Sequence, residues 1–175
     1  MPLNERDMRN VINRERRKCR FQGDAKEVLI YFKKLKSQNN EFFYAVEKDE
    51  DDRLLNIFWA DARCRAMYKV FGDVVSFDST HSSNRYRMPL CPFVGVNHHG
   101  NTIVFASTLI SYEDKETFEW LFQQWIECMG KAPDVLLTDQ CKAMEGAITE
   151  VFPETKHRFC LWHILQNTDT HLTKL

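Results

Sequence analysis

Long apolar runs are missing from this chain: nothing in its 175 residues approaches the roughly 18 consecutive apolar residues that cross a bilayer. Met1 is not followed by the short apolar stretch of a secretion signal either. The expectation is a soluble intracellular protein with no membrane contact. Glycine and proline are scarce, at 6 and 5 residues, which excludes collagen-like and low-complexity architectures. There are no internal repeats. The cysteines, at positions 19, 64, 91, 128, 141 and 160, are scattered rather than clustered. Without an export signal, that scatter argues for reduced thiols, with room for one metal site, rather than a disulfide framework. What is present is ordinary: 43% apolar and 28% charged residues, in a length that suits about one domain with a real core.

Net charge is nearly absent as well, at −1, but the balance conceals a division. Residues 1–40 carry 11 Lys/Arg against 5 Asp/Glu, and residues 41–175 carry 13 against 20. The basic leading arm includes Arg14, Arg16, Arg17 and Lys18, which can contact phosphates or form a solvated helix face. The acidic remainder argues against a broad basic groove on the globular part. DNA binding by this chain alone is therefore expected to be weak and non-specific.

From the N-terminus, Asn4 to Lys18 reads as a short basic helix, broken at Gly23. Asp24 with Glu27 resembles a capping box, followed at helical spacing by Val28, Leu29, Phe32 and Leu35. Phe42 to Glu47 and Leu54 to Trp59 read as a β-hairpin whose acidic tip, Lys48 to Arg53, is a solvated turn. That tip lacks the glycine and distal Glu of an EF-hand loop. Ala60 to Phe71 reads as a helix with Ala62, Ala66, Met67 and Val70 inward, closed by Gly72. Strands follow at Val74 to Asp78, Leu90 to Val96 and Thr102 to Ile110, the last two joined by a turn at Asn97 to Asn101. Glu113 to Met129 is an amphipathic helix with Phe118, Leu121, Phe122, Trp125, Ile126 and Met129 inward, ended by Gly130 and Pro133. Its tryptophans, with Trp120, read as core rather than as a base-stacking platform. A strand at Val135 to Thr138, a helix over Lys142 to Val151 and a strand at His157 to Leu161 complete the chain.

The resulting order, β-β-β-α-β-α-β, is a ribonuclease-H-like α/β core with a mixed sheet, spanning 72–175. It is preceded by an α+β segment over 1–71. In that pattern the first and fourth strands are neighbours, which brings Asp78 and Asp139 to one sheet edge. Both aspartates end strand-like runs, where an α/β scaffold holds side chains firmly beside open loops. Two such carboxylates are able to share Mg²⁺ or Mn²⁺; equally, each is able to cap a turn or helix. Arg85 and Arg87 follow the first aspartate and are candidates for phosphate contact, with a solvated loop as the alternative. His81 fits a position behind a metal ligand or a surface loop. His98 and His99 read as exposed turn residues. Cys160 and His163 form half of a zinc site, with His157 and His171 the nearest further candidates; otherwise they are a core thiol and a hydrogen-bonded histidine.

Several stretches together resemble a known family. These are Gly72-Asp73-Val74-Val75-Ser76-Phe77-Asp78, Asn84-Arg85-Tyr86-Arg87-Met88-Pro89-Leu90, Phe93-Val94-Gly95-Val96-Asn97-His98-His99-Gly100, Thr138-Asp139-Gln140 and Cys160-Leu161-Trp162-His163. They resemble the Mutator-like element (MULE) transposase domain, and more closely the plant far-red-impaired-response family of domesticated transposases. The acidic hairpin and Phe58-Trp59-Ala60-Asp61-Ala62-Arg63 match the segment preceding that domain. The resemblance implies a DDE-type site in which Asp78 and Asp139 are the first two acids, with a third Glu well downstream. It also implies the Cys-x-x-His beside the last strand, a nuclear location, light-responsive transcriptional regulation and association with DNA. Asp169 is the only acid after Glu154, and no zinc-finger pattern flanks the domain. The expectation is a shortened member without transposase activity. An active metal-dependent fragment completed by an acid from elsewhere, and a module for homo- or hetero-dimerisation with family members, are the alternatives.

Overall fold

A computed structural model of the chain describes residues 22–78, 88–161 and 164–165. Its elements, in order, are α1 (Gln22–Gln38), β1 (Phe43–Lys48), β2 (Leu54–Ala60), α2 (Ala62–Phe71), β3 (Val74–Phe77), β4 (Leu90–Val96) and β5 (Thr102–Leu109), then α3 (Lys115–Met129), β6 (Val135–Thr138), α4 (Lys142–Val151) and β7 (Lys156–Phe159). Seven strands form one mixed sheet in the order β1-β2-β5-β4-β3-β6-β7. The strands β3, β4 and β5 are an antiparallel meander, and β6 and β7 join it in parallel after helical crossovers. This is an α/β fold with a ribonuclease-H-like core. The β1–β2 hairpin continues the same sheet, because Ile57 to Trp59 pair with Ser107 to Leu109 of β5.

Alternation along the strands builds two cores, one on each sheet face. On one face Phe58, Val75, Phe77, Phe93 and Leu136 meet Tyr68 of α2, Phe118, Leu121, Phe122 and Trp125 of α3, and Met144, Ala147 and Ile148 of α4. On the other face α1 brings Phe32 against Phe42, Leu54, Ile57 and Met88. The rings of Phe32 and Phe42 lie 5.5 Å apart, and those of Phe32 and Trp59 5.7 Å. Beyond the reach of α1, Val74, Val96 and Val104 stay exposed.

The long helix α3 forms as its spacing predicts. Asp114 caps it by accepting from the Thr117 N–H at 2.9 Å. It ends at Gly130, which takes φ 82°, the left-handed C-cap that glycine adopts without strain. Trp125 is fully buried, and its Nε1 donates to the Lys131 carbonyl at 3.2 Å, so it is a core residue as expected.

Three local expectations need correction. The helix α1 starts at Gln22, so Gly23 lies inside it rather than breaking it; a single glycine costs a helix only about 1 kcal/mol relative to alanine. Asp24 likewise lies inside α1. In α2 the buried residue is Tyr68, Met67 packs against the core as expected, and Ala66 and Val70 face solvent. Burying the aromatic ring removes more apolar surface than burying Ala66 and Val70. The Tyr68 hydroxyl also finds a partner in the Lys131 carbonyl, 3.2 Å away. Ala60 ends β2 rather than starting the helix, and Asp61 caps α2 by accepting from the Arg63 N–H at 2.8 Å.

Candidate functional site

Asp78 and Asp139 each stand one residue past a strand, at the C-terminal ends of β3 and β6. These strands are parallel neighbours, with Val74 opposite Val135, Val75 opposite Leu136 and Ser76 opposite Leu137. Two more steps of that register set Asp78 beside Asp139, across a strand spacing of about 4.8 Å. The sheet, not the sequence separation, makes them neighbours. Asp139 is half-buried, with its Oδ1 withdrawn from solvent.

The same end of the sheet receives the start of β4 and the end of β5. Cys91 is fully buried there, opposite Thr108. Burial pushes its thiol well up, and the charges of Glu113, Asp78 and Asp139 push it further in the same direction. A third carboxylate, Glu113, therefore contributes to the field at this end. Sequence reading placed Glu113 only at a helix start. The antiparallel meander is the signal that finds it, since Leu109 of β5 pairs with Leu90 of β4. The loop leading to Glu113 is anchored: the Ser111 N–H donates to Asn56 Oδ1 at 2.9 Å, and the Ser111 hydroxyl donates to the Leu55 carbonyl.

The Asp139 side is braced from β7. His157 Nε2 lies 2.7 Å from the Thr138 hydroxyl, and that hydroxyl lies 2.9 Å from the Asp139 carbonyl. The Thr138 hydroxyl stands between the His157 ring nitrogen and the Asp139 carbonyl, and which group donates to which follows the imidazole tautomer. Burial holds the His157 pKa below the usual imidazole value, Glu145 opposes that shift, and Arg158 adds to it. His157 is thus engaged with Thr138. Cys160 is half-buried, and its N–H donates to the Thr138 carbonyl at 2.7 Å.

Carboxylate oxygens are hard donors that suit Mg²⁺ or Mn²⁺, and a Cys/His set suits zinc. Among the described residues no three His, Cys, Asp or Glu side chains converge closely enough to hold an ion. His98 and His99 are exposed in the β4–β5 turn, with ring centroids 4.1 Å apart. Arg14, Arg16, Arg17, Lys18, His81, Arg85, Arg87, His163, Asp169 and His171 lie outside the described residues. Among the described residues no helix is long and apolar enough to cross a membrane.

Residues 74–167 match the family model of the MULE transposase domain. Among relatives from Arabidopsis thaliana, Protein FAR-RED IMPAIRED RESPONSE 1 is 43% identical over 165 residues, covering 94% of this chain and 20% of that protein. Protein FAR1-RELATED SEQUENCE 5 is 41% identical over 170 residues, 97% of this chain and 21% of its own length. Protein FAR1-RELATED SEQUENCE 4 is 41% identical over 166 residues, 94% and 23% respectively. The chain spans about a fifth of the length of these relatives. A matching domain model over the acid-bearing sheet and close relatives across nearly the whole chain lead to one conclusion: this chain belongs to the MULE transposase domain family, among the FAR1-related sequences.

Proposed function

We propose that this chain is part of a transposase-derived nuclear protein that regulates transcription in a light-signalling role, associates with DNA, and does not itself transfer DNA strands. The observation that carries this reading is the Asp78–Asp139 pair, set side by side on β3 and β6 inside a domain whose relatives are named for a far-red response. Phosphoryl transfer by two metal ions needs a clamp on both the attacking and the leaving oxygen. Asp78 and Asp139, in this reading, are a vestigial pair that does not complete that clamp. In this reading the fold supplies a rigid platform, and DNA association rests on the basic residues Arg14, Arg16, Arg17, Lys18, Arg85 and Arg87. Any Mg²⁺ or Mn²⁺ would be held by Asp78 and Asp139, and any Zn²⁺ by Cys160 and His163, with structural rather than catalytic effect. Homo- or hetero-dimerisation with family members fits the regulatory role.

The test is a cleavage assay with the purified 175-residue chain, labelled duplex carrying a Mutator-like terminal repeat, and MgCl₂ or MnCl₂. No strand cleavage or joining is expected. Cleavage that disappears in Asp78→Asn and in Asp139→Asn would overturn the reading in favour of an active metal-dependent transposase domain.

A further inference from the structure

The outer side of α1 and the turn between β1 and β2 enclose a groove of about 460 Å³, remote in the sheet order from β3 and β6. From α1 it is lined by Lys26, Leu29, Ile30 and Lys33, positions i, i+3, i+4 and i+7 of one helical face. From the hairpin come Lys48, Asp51, Asp52, Arg53 and Leu54. The floor is apolar: Leu54 is buried, Leu29 is half-buried, and Ile30 is 58% exposed, high for a residue of its kind. The rim is basic, with four cations against two carboxylates. Those two carboxylates are already engaged, Asp52 by Lys48 at 2.6 Å and Asp51 by Arg53 at 2.7 Å. Among the described residues Lys26 and Lys33 meet no carboxylate.

The hairpin side of the groove is preformed. Asp49 Oδ1 accepts from the Asp51 N–H at 3.0 Å and from the Arg53 N–H at 2.9 Å, and the Asp52 N–H donates to the Asp49 carbonyl at 3.0 Å. That network holds Asp52 at φ 61°, a left-handed conformation that a non-glycine residue keeps only when its surroundings enforce it. A rim already in place loses little freedom when a partner docks.

We propose that this groove docks an acidic peptide segment carrying large apolar side chains, which rest on Leu29, Ile30 and Leu54 while its carboxylates meet Lys26 and Lys33. The chemistry favours a peptide over nucleic acid. A phosphate backbone gains nothing from the apolar floor of Leu29, Ile30 and Leu54, whereas large apolar side chains of a peptide do. This inference is independent of the roles of Asp78 and Asp139, so either is able to fail without the other.

The test uses a short fluorescein-labelled peptide alternating Glu or Asp with Leu and Phe, titrated with the full chain and followed by fluorescence polarisation. Saturable binding is expected, with about a tenfold loss of affinity for the double variant Lys26→Glu/Lys33→Glu and a comparable loss for Ile30→Ser. Lys34→Glu, exposed on α1 but outside the groove, should leave binding unchanged. Circular dichroism should show all variants folded, since the substituted residues are exposed. Replacing the peptide acids by Gln and Asn, or its Leu and Phe by Ser, should each abolish binding. The proposal is overturned by no binding, by an equal loss in Lys34→Glu, by indifference to Ile30→Ser, or by duplex DNA displacing the peptide better than unlabelled peptide does.

Discussion

His157 on the outermost strand reaches the Thr138 hydroxyl at 2.7 Å, one residue before Asp139, so β7 braces the acid-bearing end of β6. The ring is half-buried against β6, and burial depresses the His157 pKa. The folded protein therefore takes up this proton less readily than the unfolded chain. The associated stabilisation is complete above the unfolded pKa of about 6.5 and is lost as pH falls through the lower folded value. Thermal denaturation between about pH 7 and pH 5 should show Tm falling, and His157→Gln should flatten that dependence. An unchanged pH slope in the variant would remove His157 from the account.

Gly72 and Gly130 both end helices, but they should respond differently to alanine. A Cβ at Gly72 would overlap the ring and the carbonyl oxygen of Tyr68, while a Cβ at Gly130 meets nothing within 4 Å. Gly72 has φ −89°, so its need is space; Gly130 has φ 82°, so its need is conformational. Chemical denaturation should show Gly72→Ala costing about 3 kcal/mol and Gly130→Ala about 1 kcal/mol. The reverse order would contradict the packing described for Tyr68.

Asn56 is buried to 1% exposure in β2 and joins three segments. Its Nδ2 donates to Glu47 of β1, and its Oδ1 accepts from Ser111 beyond β5. Asn56→Ala leaves the Ser111 N–H buried without its acceptor, and should cost about 2 kcal/mol in a urea titration. A loss below about 0.5 kcal/mol, the range of ordinary surface substitutions, would show that the loop repacks freely.

Deletion of residues 1–21 removes Arg6, Arg9, Arg14, Arg16, Arg17, Lys18 and Arg20 and stops just before α1. Binding to random duplex DNA should be weak and steeply salt-dependent, with about −0.9 in the log–log slope for each phosphate contacted. The deletion should eliminate most of it while leaving the fold intact. Tight, sequence-selective binding by the shortened chain would reveal a recognition surface on the sheet domain. Loss of the fold would mean that the arm is structural.

What the sequence determined by itself was local. The apolar spacing in α3, the left-handed stop at Gly130, the alternating strands and the exposed histidine turn all follow from neighbours within one or two turns of chain, which periodicity reads directly. The motif stretches around Asp78 and Asp139 likewise sufficed to assign the family. Tertiary structure decided what depends on residues distant in sequence. It rotated α2 to bury Tyr68, because a ring with a hydrogen-bonding hydroxyl gains more from burial than Ala66 and Val70. It joined the β1–β2 hairpin to β5, a pairing set by matching edges rather than by local propensity. It brought Glu113 to the end of the sheet where Asp78 and Asp139 lie, and it set Lys26 and Lys33 across a groove from Lys48 and Arg53. These juxtapositions arise only when strands and helices pack, and no window of neighbouring residues contains them.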